Sequence, residues 1–264
     1  MESEEIKVQK SENIAVLTFN RPDKYNSMTM KYGTAEFPQL VRNIKEDDDI
    51  RVLVITGTGK AFCTGVDVNS FTESTQGSSE LKRHQKLQPL GAVALELYNL
   101  DKPVIAAING IAAGGGVSIV MLSDIRIASV NAKFNMVFVG RGLIPDVGLT
   151  FTMPRLVGTG KSFELMYSGS VVDAEEAERI GLVTKVVPHE RLMDETMLLA
   201  RKLASGPALA LAQTRRAIHA GMINNLEQQL YFETYAQNFC FGTEDFKEGL
   251  KSFIEKCPPS FEGR

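Results

Sequence analysis

The chain has 264 residues, 44% of them hydrophobic, enough to bury a full core as one large or two small domains. A net charge of −3 and a pI near 5.8 exclude a general nucleic-acid binder, whose surface would be basic. Cys63, Cys240 and Cys257 have neither metal-ligand nor disulfide-framework spacing, and His84, His189 and His219 are scattered, so no metal site is expected and a reducing compartment is.

Two strand signals open the chain, at residues 6–8 and 14–19, the second closing at the turn Asn20-Arg21-Pro22-Asp23. Residues 28–44 carry a helical pattern despite Gly33 and Pro38, and the acidic run Asp47-Asp48-Asp49 stops it. Val52-Leu53-Val54-Ile55-Thr56 predicts a strand closed by Gly57 and Gly59. Residues 72–79, rich in Ser, Thr and Gly, predict a loop, and 81–100 a helix leading into a strand at 103–108. Beyond the glycine run that follows come a helix from 117 to 122 and strands at 124–128 and 183–187. This alternation predicts an α/β core.

Composition shifts near residue 190, and 189–205, 207–220, 225–239 and 244–255 all have helical patterns, separated by Gly206-Pro207, Gly221 and Gly242. Helices without strands cannot extend a sheet. They pack on the core or on another subunit, and apolar residues on several faces favour the second. The chain therefore divides into a core over residues 1–190 and a helical region over 191–264.

The run Asn109-Gly110-Ile111-Ala112-Ala113-Gly114-Gly115-Gly116 carries most of the chemical information. A strand precedes it and a helix follows, so free backbone N–H groups open into a place without Cβ atoms. Such a place can hold a phosphate or the oxyanion of an activated carbonyl, or it can serve only close helix–strand packing. No Gly-Lys-Ser/Thr ends the loop, and three consecutive glycines do not fit G-x-G-x-x-G. An oxyanion hole remains, with its second donor elsewhere in the chain.

Five segments then fall into a familiar order: Asn20-Arg21-Pro22-Asp23-Lys24-Tyr25-Asn26-Ser27; Lys60-Ala61-Phe62-Cys63-Thr64-Gly65-Val66-Asp67-Val68; Lys102 to Gly110; Gly142-Leu143-Ile144-Pro145-Asp146-Val147-Gly148-Leu149-Thr150; and Glu244 to Lys256. Together they resemble the crotonase, or enoyl-CoA hydratase/isomerase, superfamily along nearly the whole chain. The resemblance implies a spiral core of ββα units, an acyl-CoA thioester substrate with no separate cofactor, and a homotrimer or dimer of trimers built by the C-terminal helices. It implies that the backbone N–H groups of Val66 and Gly115 hold the thioester oxygen.

Hydratases of the family activate water with two glutamates, and here those positions align to Ser118 and Phe138, neither of which can act as a carboxylate base. Asp146 matches an aspartate that the family's isomerases use on enoyl-CoA or phenylacetate-pathway intermediates. One carboxylate suffices for an allylic isomerisation, in which it removes a proton beside the double bond and returns it two carbons along. Read from sequence alone, Asp146 could equally cap a helix over 147–156. Expected is a Δ3/Δ2-type enoyl-CoA isomerase. The alternatives are a hydratase or thioester hydrolase using Asp146 with a water, or a non-catalytic CoA-ester binder.

Further site residues follow from the resemblance. Lys24, Val66, Asp67, Val68 and Lys256 would contact CoA, the lysines through its phosphates, although Asp67 could instead cap its own turn. Ser118 and Phe138 would line the acyl pocket, and Phe253 would do so or belong to the core. Asp124 reads as a structural partner at a strand start, Cys63 as a packed small residue, His84 as exposed, and Glu73 and Glu80 as the next candidate bases; Arg141 has no role in this reading. The start Met1-Glu2-Ser3-Glu4-Glu5 resembles no targeting segment, no run is long enough to span a membrane, and Phe261-Glu262-Gly263-Arg264 is no peroxisomal signal, so a cytoplasmic setting with no membrane partner is expected.

Overall fold

A computed structural model describes residues 5–67, 70 and 91–264. Val68, the expected loop at 72–79, the first half of the expected helix at 81–100, Glu73, Glu80 and His84 lie outside the described residues.

Strands β1 (Ile6–Ser11) and β2 (Ile14–Phe19) pair antiparallel through the two-residue turn Glu12-Asn13, both residues at positive φ, as a tight hairpin requires. The region expected as one helix from 28 to 44 divides. A π turn covers Tyr32–Glu36 and α1 runs over Phe37–Glu46. Pro38 has no N–H to donate back, so it sits in the first turn of α1, and the winding changes ahead of it.

Then follow β3 (Val52–Gly57), β4 (Ala61–Cys63), α2 (Gly91–Tyr98), β5 (Val104–Ile108), β6 (Ile111–Ala113), α3 (Gly115–Leu122), β7 (Ile125–Ser129) and β8 (Lys133–Asn135). Next are α4 (Leu149–Val157), α5 (Thr159–Ser168), β9 (Val171–Asp173), α6 (Ala174–Arg179) and β10 (Lys185–Val187). Four helices close the chain: α7 (Leu192–Ala204), α8 (Ala208–Gly221), α9 (Leu226–Phe241) and α10 (Glu244–Glu255).

One sheet has the order β1-β2-β3-β5-β7-β10 and a smaller one β4-β6-β8-β9. The pairs β3–β4 and β5–β6 each step from the first sheet to the second before a helix returns the chain. After β7–β8 the chain passes through α4, α5 and β9 of the smaller sheet before α6 returns it to β10, which gives the repeated ββα spiral. The central strands are buried on both faces, so their sequences read as unbroken apolar runs. Leu53, Ile55, Val104, Ala106 and Ile108 face one core cluster, while Val52, Val54, Ile105 and Ala107 face another.

That second cluster is closed by Leu192, Ala200 and Ala204 of α7. The first helix of the tail therefore packs on the core of its own chain rather than on a neighbour. Helix α8 is pinned by Arg215, buried among the carbonyls of Leu97, Tyr98 and Leu100 and paired with Asp124 at 2.9 Å. Asp124 also accepts from the Val104 N–H at 2.8 Å, as a structural partner at a strand start should. Helix α9 has no buried residue and exposes Leu226, Tyr231, Tyr235 and Phe239. No helix among the described residues is long and apolar enough to cross a membrane.

Candidate active site

One wall of the site is backbone. The chain leaves β4 through Thr64-Gly65-Val66 and is fixed by two buried asparagines. Asn26 Nδ2 donates to the Ala61 and Thr58 carbonyls at 2.7 and 2.9 Å, and Asn109 Nδ2 donates to Ala61 and Gly59, both at 3.0 Å. The Met28 N–H donates to the Gly65 carbonyl and the Asp67 N–H to the Met28 carbonyl, each at 2.8 Å. This parallel bridge uses the groups on either side of Val66, so the Val66 N–H turns the other way, toward the cavity that Val66 lines. It finds no acceptor among the described residues.

Gly115 is the first residue of α3, so its N–H has no intrahelical acceptor. Gly65 lies against it at φ +83°, and a Cβ at position 65 would stand 2.9 Å from the Gly115 nitrogen. At position 116 a Cβ would overlap the Cys63 carbonyl oxygen. The two N–H groups can therefore share one opening only while these positions stay glycine. Cys63 itself is fully buried, and burial pushes its thiol up to about 12, which makes it a packing residue.

The other wall carries side chains. Gly65, Val66, Gly114 and Gly115 share a cavity with Met28, Val93, Ile119, Val137, Phe138, Arg141, Leu143, Asp146 and Val147. Among the described residues on this wall, Asp146 is the one carboxylate. Burial pushes its carboxyl above the usual range, with a smaller opposing pull from its own backbone N–H. It does not cap a helix: α4 starts at Leu149 behind Gly148, with no side-chain cap.

Instead, Asp146 opens a tight turn. Its carbonyl accepts from the Leu149 N–H at 3.1 Å, and the central residues Val147 and Gly148 have φ of 51° and 78°. Both positive values define a type I′ geometry, in which Gly, Asn or Asp is the usual first central residue. A buried β-branched valine there stores strain of about 1–3 kcal/mol. Ser118 holds the turn in place: its hydroxyl, fully buried in α3, donates to the Asp146 carbonyl at 2.9 Å.

Thus Val66, Gly115, Phe138 and Asp146 come together as expected, and Ser118 does not line the cavity but ties down the segment bearing the carboxylate. Asp67 receives the Arg21 guanidinium at 3.4 Å and its N–H holds Met28, so it is engaged in its own turn. Lys24 is exposed on a short turn over Pro22–Lys24, and Lys256 ends α10 at φ +53°, exposed as well; neither lines the cavity. Phe253 is neither core nor cavity: 82% exposed, it borders a groove between α8, α9 and α10. The sequence reading missed the turn at Val147 and gave Arg141, which lines the cavity, no role.

Comparison with known proteins converges on one family. The pattern of enoyl-CoA hydratase/isomerase matches residues 9–264. A crotonyl-CoA hydratase of Syntrophomonas wolfei is 37% identical over 266 residues, covering 99% of both chains. A 1,2-epoxyphenylacetyl-CoA isomerase of Escherichia coli is 35% identical over 251 residues, covering 95% of both. The crystal structure of an enoyl-CoA hydratase from Bacillus anthracis superposes with a TM-score of 0.91 at 33% identity, over 98% of this chain and 100% of that one.

Proposed function

The chain belongs to the enoyl-CoA hydratase/isomerase family, and on that premise we propose that it isomerises the double bond of an enoyl-CoA thioester with Asp146 as the shuttling base. The supporting observation is that Asp146 is the one carboxylate among the described residues of the cavity that also holds both backbone donors, while Ser118 and Phe138 occupy the positions that the family resemblance gives to two water-activating acids. In this reading the Val66 and Gly115 N–H groups hold the thioester oxygen. Each such donor supplies about 3 kcal/mol as negative charge develops on it.

Asp146 takes a proton from the carbon between the thioester and the double bond. The resulting dienolate is held by the two donors, and the protonated Asp146 delivers the proton two carbons along. Burial, which raises the carboxyl's proton affinity, suits it to both halves of this exchange. Phe138 and the surrounding aliphatic side chains keep water from competing.

The test compares a 3-enoyl-CoA with a 2-enoyl-CoA on the purified protein. Isomerisation of the first without hydration of the second is expected, and in deuterated water part of the original hydrogen should be retained in product. Hydration as fast as isomerisation would replace this reading with a hydratase, and turnover of neither with a CoA-ester binder. The same reading assigns the exposed apolar faces of α9 and α10 to contacts between copies in a homotrimer or dimer of trimers. Light scattering at micromolar concentration should find at least three chains, and a monomer would remove that assignment.

A further inference from the structure

Arg141 is the second charged side chain on the cavity wall among the described residues, and proton transfer by Asp146 makes no use of it. Its backbone is fixed. It ends a short 3-10 turn over Val139–Arg141 in which its N–H donates to the Phe138 carbonyl at 2.9 Å, and the Leu143 N–H donates to the same oxygen at 3.0 Å. Its guanidinium makes no ion pair or side-chain hydrogen bond among the described residues.

Nor does Arg141 serve the base. The Asp146 carboxyl is raised by burial, with no cation among the described residues drawing it down, so the two charged groups border one cavity without pairing. Around them the wall is aliphatic or aromatic: Met28, Val93, Ile119, Val137, Phe138 and Leu143. A guanidinium on such a wall has strong, forked affinity for an oxyanion that arrives with the ligand, a carboxylate or a phosphate. Its place matters too. Arg141 lies five residues before Asp146, on the wall of the reacting carbons, whereas the thioester end is fixed by Gly65-Val66 and Gly115 on the other wall.

We propose that Arg141 receives a carboxylate carried by the acyl group, so that the preferred substrate is the mono-CoA thioester of an unsaturated dicarboxylic acid. This rests on the isomerase reading for its kinetics but not for its binding.

The experiment takes two 3-enoyl-CoA esters of equal length, one ending in a methyl and one in a carboxylate, with the wild-type protein and Arg141→Met. Wild type should favour the carboxylated ester in kcat/KM by about 10²-fold or more, as expected of a site built around a charged partner. In Arg141→Met that ratio should collapse to about one. Calorimetric Kd values for the two saturated analogues should show the same preference and the same collapse. If neither ester turns over, the isomerase reading falls while the calorimetry still decides Arg141. Equal affinity of wild type for both analogues overturns the proposal. So does an equal loss on both in Arg141→Met, which would put the arginine on CoA phosphates.

Discussion

The wall that carries Gly65, Val66 and Gly115 presents main-chain N–H groups to the cavity, whereas residues 134–149 on the other wall present side chains. The first has no room for a Cβ at Gly65 or Gly116. The second holds a strained Val147 and two ionisable groups, Arg141 and Asp146, and the buried Ser118 hydroxyl ties it to α3. On the proposed reading, the backbone donors hold the thioester while the facing segment sets the reaction. Relatives named as hydratases and as an isomerase are 35–38% identical to this chain, so overall likeness does not choose between the two reactions.

The largest expected effect comes from removing the proposed base. Asp146→Asn keeps shape but cannot accept a proton, and isomerisation should fall by about 10²–10⁴-fold while CoA esters still bind. The wild-type rate should rise with pH through a midpoint above the ordinary aspartate value of about 3.9. The stability effect has the opposite sign. Because the folded state binds the Asp146 proton more tightly than the unfolded chain does, its contribution declines as pH rises between the two pKa values. Asp146→Asn should therefore melt higher than wild type at neutral pH, and the gain should vanish in acid. A lower melting temperature at neutral pH would restore a structural role for the carboxylate.

Gly65→Ala attacks the backbone wall. The new methyl would sit 2.9 Å from the Gly115 nitrogen at a backbone φ of +83°, blocking one donor and straining the other. A loss of about 10²–10³-fold in kcat is expected, with KM much less affected, since the donors act on charge that develops after binding. Steady-state kinetics with circular dichroism on the same sample checks this. A folded, fully active variant would mean that the carbonyl lies elsewhere.

The backbone wall was the more legible from sequence. Glycines at 65 and 114–116 follow apolar strands, and an oxyanion hole at one of them calls for a second donor at the other. Strands β2, β3 and β5 announced themselves as apolar runs, and α8 to α10 by their punctuation with Gly206-Pro207, Gly221 and Gly242. The second sheet did not, because three-residue strands such as Ala61–Cys63 and Lys133–Asn135 are too short to show a period. The side-chain wall was legible only in composition. Nothing about a valine signals a left-handed turn, so the helix expected from 147 begins at Leu149. Nor does a serine spacing show that Ser118 will meet the carbonyl of a residue 28 positions away.

Val147→Gly sharpens the contrast by relieving strain where the reaction is set. Glycine takes φ of 51° freely, so release of up to about 1–3 kcal/mol is opposed by lost side-chain burial and the entropy of a freer unfolded chain. A melting temperature within a few degrees of wild type is expected. The rate should drop, because the carboxylate of Asp146 is no longer held to one orientation.

Ser118→Ala should give the smallest change, and its division between kcat and KM is what makes it informative. The substitution removes one donor to the Asp146 carbonyl and leaves the one from Leu149. The net cost of such a hydrogen bond is about 1 kcal/mol, a few degrees in melting temperature at most. If the hydroxyl is only packing, kinetics should be unaltered. If it fixes the strained turn, kcat should fall by about 3- to 10-fold at unchanged KM, because a misplaced base slows proton transfer without weakening thioester binding. The double variant with Val147→Gly then settles how the two act. Both tighten the same turn, so their effects on kcat should overlap rather than multiply, whereas full additivity would mean that Ser118 acts on something other than the orientation of Asp146.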